Sequence, residues 1–276
     1  RTWVIREIER PKGIVLSEEE IAVTISEVDE VLEIVLVNYF IKGNIGLTKV
    51  DEDYPENKLS GAVFEVYSDT NGDGKMDKED VLLGTMTELE GGVYQMKELR
   101  YGKYLVREKT APTGFVLDEN VYPVSIEENG KTYTVENEAG KGFLNEAQKG
   151  NLKIVKTSSD GKVEGFSFRI TGVNYDQTFK TDRNGEISIE GLRIGEYTVS
   201  EVSDKASAGY ILPADKQATV QTRATTIVQM HNELRDTPKT GDDFNPALWV
   251  SLAAAFTIGA GVLGFLGIKG KKKKED

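Results

Sequence analysis

Apolar and polar residues alternate along most of the first 235 positions, in short stretches rich in Val, Ile, Thr and Tyr. Gly, Asn and Asp separate these stretches, and they are typical turn residues. A period of two places every second side chain on the same face of a β-strand. The pattern therefore predicts an all-β structure for this part of the chain.

Residues 247–268 break the alternation, because they form an apolar run without a single charge. A helix of this length crosses the ~30 Å hydrocarbon layer of a membrane. Trp249 lies at its outer end, and Lys269 and Lys271 to Lys274 follow it, as expected for an interfacial ring and a cytoplasmic side. We predict a transmembrane helix at 247–268 and a basic cytoplasmic tail at 269–276. An ordinary single-pass anchor is the simplest interpretation.

Three short patterns recur along the β-rich part. A lysine lies six residues after a glycine, a glutamate lies four residues after an aromatic residue, and an asparagine ends an apolar stretch. The lysines are Lys49 and Lys156, the glutamates Glu7, Glu108 and Glu201, and the asparagines Asn38, Asn145 and Asn232. Recurrence in the same order indicates repeated domains.

The repeats divide the chain into a truncated domain at 1–41, called here the N-terminal segment, and two complete domains. The second domain spans 43–148 and the third 150–234, each long enough for a seven-stranded, Ig-like sandwich with its own core. Residues 235–246 form a linker. The chain does not begin with methionine, so we expect further sequence upstream of Arg1.

Alternation places the recurring polar residues in line with core positions. Lys49 shares a face with Ile45 and Leu47, and Asn232 shares one with Val228 and Met230. In the N-terminal segment the same alternation predicts a strand face with Ile34, Leu36 and Asn38. An unpartnered polar group in a core costs several kcal/mol, so the recurrence needs a common reason. One interpretation is a buried ion pair with a bridging amide, which would stabilise little. Another is that these positions lie at strand ends and reach solvent.

A third interpretation comes from a resemblance. The motifs KVD, YLVREKTAPTGF and FLNE of the second domain resemble those of the Cna B-type, or SpaA-like, prealbumin-fold domains of Gram-positive adhesins and pilins. The resemblance implies an intramolecular isopeptide bond between a first-strand lysine and a last-strand asparagine, promoted by a buried glutamate. It pairs Lys49 with Asn145 beside Glu108, and Lys156 with Asn232 beside Glu201. In the N-terminal segment it leaves Glu7 and Asn38, without a lysine.

A second resemblance concerns the pentapeptide just before the apolar run. A PxTG-like motif, an apolar helix and a short basic tail, in this order, resemble a cell-wall sorting signal. That family implies cleavage by sortase between Thr240 and Gly241 and transfer of Thr240 to peptidoglycan or to a pilin subunit. The first position is usually Leu, and Thr237 leaves open which sortase reads the site. The motif is Thr237, Pro238, Lys239, Thr240 and Gly241.

Residues 69–80 fit a twelve-residue calcium loop, with Gly74 at the tight turn. The alternative is a polar hairpin loop, because Asp, Asn and Gly also form turns. We predict a structural Ca²⁺ here as the one candidate cofactor, and the function requires none. The expected ligands are Asp69, Asn71, Asp73, Lys75 through its carbonyl, Asp77 and Asp80.

A net charge of −12 argues against nucleic acid as a partner, and without cysteine the chain has no disulfides. The single histidine, His231, is expected to point outward from a strand, and no catalytic set is evident. We therefore expect a wall-anchored, non-enzymatic stalk at the cell surface, from an adhesin or a minor or basal pilin. Two alternatives stay open: the stalk of a surface enzyme whose catalytic domain lies upstream, and a module that binds host matrix protein.

Overall fold

The computed structural model describes residues 1–236, and every helix or strand assigned in this part is a β-strand. The prediction of an all-β chain with tandem sandwich domains is confirmed for these residues. Within them, no helical stretch has the length and apolar character needed to span a bilayer. The sorting motif, the predicted transmembrane helix and the basic tail lie outside the described residues.

The N-terminal segment forms one antiparallel pair, β1 (Thr2–Arg6) with β2 (Glu20–Thr24). Residues 31–39 form no strand, and Val35 and Val37 are largely exposed. The prediction that alternation up to Asn38 forms a strand face is therefore wrong here. In the other two domains the last strand pairs with the first strand of the same domain, and residues 1–41 supply no such strand.

The second domain is a sandwich of two sheets with an aromatic-rich core. One sheet has the order β10-β3-β7-β6, with β11 also on β3, and the other has the order β5-β4-β8-β9. Phe64, Tyr94 and Phe143 fill the space between them in edge-to-face contacts. The strands are β3 (Lys42–Asp51), β4 (Val63–Ser68), β5 (Val81–Thr85), β6 (Thr87–Glu90), β7 (Val93–Arg100), β8 (Gly102–Thr110), β9 (Val121–Ile126), β10 (Thr132–Thr134) and β11 (Phe143–Asn145).

The third domain repeats this architecture with sheets β15-β12-β19-β17 and β14-β13-β16-β18. Its strand β12 shows strict alternation of buried and half-buried residues from Lys149 to Lys156, as the sequence predicts. The strands are β12 (Lys149–Ser158), β13 (Ser167–Gly172), β14 (Tyr175–Lys180), β15 (Glu186–Arg193), β16 (Gly195–Val202), β17 (Tyr210–Ile211), β18 (Lys216–Val220) and β19 (Thr225–Leu234). With nine and eight strands, the two domains exceed the seven expected, and in the second domain the interrupted last strand counts as two, β10 and β11.

The last strand differs between the two domains. In the third domain β19 runs parallel to β12 without a break, from Asn151–Thr225 to Ser158–Asn232. In the second domain β10 and β11 each pair with β3 in parallel, and residues 136–142 leave the ladder between them. Gly142 brings the chain back at φ +88°, where a Cβ would lie 2.9 Å from the Thr48 carbonyl oxygen. Only glycine fits this return without strain.

Candidate functional site

Three strands bring Lys49, Glu108 and Asn145 together in the core of the second domain. Lys49 lies on β3, Glu108 on the facing sheet in β8, and Asn145 on β11. Lys49 pairs in register with Phe143, so Asn145 lies two residues further along the neighbouring parallel strand. A two-residue offset keeps the lysine and asparagine on the same face. All three residues are at least 97% buried.

Hydrogen bonds join the asparagine to the glutamate and hold the lysine beside them. Asn145 Nδ2 donates to both carboxylate oxygens of Glu108, at 3.0 and 2.9 Å. Lys49 Nζ donates to the Phe143 carbonyl oxygen at 2.9 Å and lies 5.1 Å from the centre of the Phe143 ring. The carboxamide oxygen of the same residue, Asn145 Oδ1, has no hydrogen-bond partner among the described residues.

Burial shifts both ionisable groups toward their neutral forms. It lowers the pKa of Lys49 to about 8, although the Glu108 and Asp118 carboxylates partly oppose the shift. It raises the pKa of Glu108, opposed by hydrogen bonds from the Asp118 N–H and from Asn145. Desolvation penalises a charge of either sign. The site therefore favours an uncharged amine next to a protonated carboxyl group more than water does.

The third domain contains the same three residue types at equivalent places. Lys156 on β12, Glu201 on β16 and Asn232 on β19 are buried, and Asn232 again lies two register positions beyond the lysine. Asn232 Nδ2 donates to Glu201 Oε1 at 2.6 Å, and Lys156 Nζ lies 4.3 Å from the centre of the Phe166 ring. Burial lowers the pKa of Lys156 and raises that of Glu201. We call each buried lysine, glutamate and asparagine set a triad.

The N-terminal segment retains the glutamate–asparagine pair. Asn38 Nδ2 donates to Glu7 Oε1 at 2.8 Å, and the Ser17 N–H donates to Glu7 Oε2 at 2.9 Å. Asn38 is exposed and Glu7 half-buried. The contact that the repeat predicts therefore forms even without the surrounding core.

In the part of the chain that the structure describes, buried side-chain oxygens without partners lie only in the triads. Within residues 1–236, the buried side-chain nitrogen and oxygen atoms lacking any hydrogen bond are Asn145 Oδ1, Glu201 Oε2 and Asn232 Oδ1. Native cores leave few such atoms unpaired, and each exception asks for an explanation. In both triads the glutamate contacts the amide nitrogen and the carboxamide oxygen stays free. Each glutamate is therefore placed to serve a departing nitrogen.

A hydrogen-bond network surrounds Glu108, and the recurring residues did not predict it. The Asp118 N–H donates to Glu108 Oε2 at 2.9 Å, and Asp118 Oδ2 accepts from Tyr122 and from Asn137. A signal existed, because Ser17 follows Glu7 at the same ten-residue spacing that separates Asp118 from Glu108. The N-terminal segment therefore shares this contact with the second domain.

A cluster of ionic contacts joins the second domain to the third. Arg193 of β15 forms a bidentate ion pair with Asp51 of β3, at 2.6 and 2.7 Å, and also contacts Asp53 at 2.8 Å. The Arg193 and Asp51 side chains are 14% and 4% exposed. Burial alone would raise the pKa of Asp51, but the Arg193 guanidinium holds it below its usual range. No sequence periodicity pointed to this pair.

The predicted calcium ligands lie in a loop between β4 and β5. Their oxygens accept hydrogen bonds from the loop itself, as when Asp69 accepts from the Gly72 and Gly74 N–H groups at 2.7 and 3.0 Å. Among residues 1–236, no group of three or more His, Cys, Asp or Glu side chains converges as a metal site would require. The loop also fits a self-bonded polar turn, and calcium binding stays a prediction. His231 is half exposed on β19, between Thr157 and Glu233.

Comparison with known proteins places the second and third domains in a family. The family described as the SpaA prealbumin-like fold domain matches residues 43–141 and 150–234, which is more than half of the chain. The chain belongs to the SpaA prealbumin-like fold domain family. No curated protein sequence matches it.

Similarity to one solved structure supports the fold. The Bacillus anthracis TIE protein is similar with a TM-score of 0.65 and 24% identity, over 85% of this chain and 42% of its own length. The chain thus spans less than half of that protein. GBS52, the minor pilin of Streptococcus agalactiae, matches with a TM-score of 0.33 and 16% identity, over 73% of this chain and 100% of its own. The pilus adhesin SpaC from Lactobacillus rhamnosus GG matches with a TM-score of 0.44 and 14% identity, over 72% of this chain and 32% of its own length.

Proposed function

We propose that the second and third domains each form an intramolecular isopeptide bond, Lys49 to Asn145 and Lys156 to Asn232. The observation that carries the proposal is the shared triad, in which a buried amine and a buried carboxamide lie at the same register offset in both domains, beside a buried carboxyl group. An isolated buried ion pair would stabilise little. A covalent product would explain why two domains retain the same costly arrangement.

The proposed reaction uses only groups of the triad. The neutral Lys49 amine attacks Asn145 Cγ, a new C–N bond forms, and the carboxamide C–N bond breaks. The protonated Glu108 carboxyl, held 2.9–3.0 Å from Nδ2, donates its proton to the departing nitrogen, and the amine returns one to the carboxylate. One ammonia leaves, and Glu108 ends as it began. Folding supplies the high effective concentration, and each site reacts once.

The bonds would stabilise a chain that has no cysteine. A bond from Lys49 to Asn145 closes a ring over nearly the whole second domain. By analogy with disulfides, closing a ring of about 100 residues removes roughly 4–5 kcal/mol of chain entropy from the unfolded state. The role we propose is therefore structural: a stalk, in an adhesin or a minor or basal pilin, that holds a distal region away from a Gram-positive cell.

Wall attachment is the second part of the proposal. The motif at Thr237 to Gly241, the uncharged run and the lysine cluster support it by their order and spacing. Sortase would cleave after Thr240 and join its carbonyl to an amine of peptidoglycan or of a pilin subunit. In a Gram-positive host, Thr240→Ala should shift the chain from the covalent wall fraction to the membrane fraction. Equal wall attachment of both forms would contradict this part.

The intact mass of the full chain tests the bonds. Expressed in a host without sortase and measured under denaturing conditions, it should be lighter than its sequence by two ammonias. Glu108→Gln should restore one of them, because glutamine keeps the shape but has no acidic proton to give. Peptide mapping should show Lys49 joined to Asn145 and Lys156 to Asn232. An undiminished mass would refute the proposal.

A further inference from the structure

The reacting asparagine of the second domain lies on an unusually short strand. β11 contains only Phe143, Leu144 and Asn145, and it pairs with β3 along one edge. In the third domain the equivalent asparagine lies within ten-residue β19, which pairs with β12 and also with β17. A three-residue strand has few ladder hydrogen bonds to fix its position. Glu146 and Ala147, which follow β11, pair with Val116 and Phe115, so the Leu144 backbone is the part of this segment that needs a further partner.

Asn137 supplies the missing contacts on the other edge of β11. Its Oδ1 accepts the Leu144 N–H at 2.7 Å, and its Nδ2 donates to the Leu144 carbonyl oxygen, also at 2.7 Å. The carboxamide thus satisfies both backbone groups of one residue, as a neighbouring strand would. Leu144 lies between Phe143, whose carbonyl accepts from Lys49, and Asn145.

The same side chain reaches toward the glutamate through Asp118. Asn137 Nδ2 also donates to Asp118 Oδ2 at 3.1 Å, and the Asp118 N–H donates to Glu108 at 2.9 Å. Tyr122 donates to Asp118 Oδ2 at 2.7 Å, and its ring packs edge-on against Phe143. Hydrogen bonds from Tyr122, Asn120 and Asn137 outweigh burial and hold the pKa of Asp118 below its usual range. Asp118 is thus fixed as an anionic acceptor.

The third domain does without this network. Ten residues after Glu201, Ile211 lies in β17, which pairs with β19. Glu201 Oε2 has no partner, whereas Glu108 Oε2 accepts from Asp118. An unbroken last strand holds Asn232 through its own ladder. Of the second and third domains, the one with the interrupted last strand is the one that has this network.

We propose that Asn137, acting through Leu144 and Asp118, is a positioning residue that aligns Asn145 and Glu108 for bond formation in the second domain. This inference rests on the proposed isopeptide bond. Asn137 touches none of the reacting atoms. Its contribution is geometric, and a displacement of about 1 Å in a reacting group can slow a reaction about 100-fold.

The test follows bond formation during refolding of the full chain. Chain recovered in urea from insoluble expression is refolded by dilution, quenched in acid at intervals and digested. The Lys49–Asn145 and Lys156–Asn232 peptides are then quantified, after subtraction of bonds already present. Asn137→Ala should slow formation of the Lys49–Asn145 bond at least about tenfold. Formation of the Lys156–Asn232 bond should keep its rate and serves as the internal reference in each molecule.

A matched control separates positioning from stability. Asn129→Ala removes an exposed amide of the same domain that accepts the Lys42 N–H at 3.0 Å and contacts neither β11 nor Asp118, and it should react at the wild-type rate. Folding is measured in the Lys49→Met background, with and without Asn137→Ala, where no second-domain bond forms. The rate is then expressed per folded second domain.

Each outcome bears on one claim. A tenfold slower rate per folded domain supports positioning by Asn137. An unchanged rate per folded domain overturns it, since Asn137 would then serve stability alone. If wild-type chain forms neither bond, the proposed function itself fails. The two failures are therefore distinguishable.

Discussion

The second and third domains place the same three buried residues at the same register offset, yet they build the asparagine strand differently. In the third domain a continuous ten-residue strand carries Asn232. In the second, residues 136–142 leave the sheet, and the Asn137 side chain bonds the Leu144 backbone next to Asn145. The comparison shows that the triad depends on the position of one backbone segment more than on how that position is achieved.

Removing a lysine should have the largest effect and should show whether each bond serves its own domain. Lys49→Met prevents the first bond and keeps an apolar stem, so the second domain should lose roughly 4 kcal/mol of stability. Lys156→Met should do the same to the third domain only. Calorimetry with domain-resolved limited proteolysis measures both losses.

The control for the lysine series lies on the same strand as Lys156. Lys153 is only partly buried and pairs with Glu186, so Lys153→Met should cost less than about 1 kcal/mol. Equal losses at Lys153 and Lys156 would argue that the lysines act by charge alone.

Breaking the contact between the domains should come next in size. Arg193→Ala leaves Asp51 buried without its partner, and such truncations cost about 3 kcal/mol. Although Arg193 belongs to the third domain, the loss should be recorded in the second, because Asp51 lies on β3 opposite Asn145. The matched control is Arg169→Ala, whose pair with Asp176 is more than half exposed on both sides. A loss confined to the third domain would show that Asp51 tolerates isolation.

The interrupted strand can be tested at its return point. Gly142→Ala combines an unfavourable φ of +88° with a close approach to the Thr48 carbonyl oxygen, and it should destabilise the second domain by about 2 kcal/mol. Gly140→Ala has φ +75° but open space around the new methyl group, so only the backbone cost of about 1 kcal/mol applies. Denaturant midpoints compare the two. Equal losses would remove the steric argument for Gly142.

The smallest predicted effect is the pH dependence of the first bond. The reactive pair carries one proton, shared between amine and carboxyl. Above about pH 8, the pKa of Lys49, this proton is lost, and below the raised pKa of Glu108 a second one is gained. The refolding assay should therefore give a plateau whose rate falls on both sides, about tenfold, or 1.4 kcal/mol, per pH unit. A rate that keeps rising above pH 8 would show that Glu108 need not be protonated.

Much of the candidate site could be predicted from sequence, because a period of two determines which side chains face a core. Lys49, Asn145, Lys156 and Asn232 are buried as their alternation with apolar neighbours predicts. The same pattern was misleading at Ile34 and Leu36, since alternation forms a strand only where a partner strand exists. The local pattern therefore predicts which side chains would share a face of a strand. The strand itself forms only where another strand pairs with it.

Other features had no local signal. Arg193 meets Asp51 across 142 positions of sequence, and nothing in either strand's pattern distinguishes these residues from other surface charges. Asn137 reads as an ordinary turn residue near Gly140. Its role depends on Leu144, seven residues away, which only the folded backbone brings into hydrogen-bond range.

The parallel pairing of first and last strands has a mechanical consequence. In a parallel ladder both strands begin at the same end, so the chain enters the third domain at one end of the β12–β19 ladder and leaves at the other. Tension applied to the two ends then slides one strand along the other. The ladder hydrogen bonds from Asn151–Thr225 to Ser158–Asn232 lie across the direction of pulling and bear that shear force together. They do not break one after another from one end of the ladder.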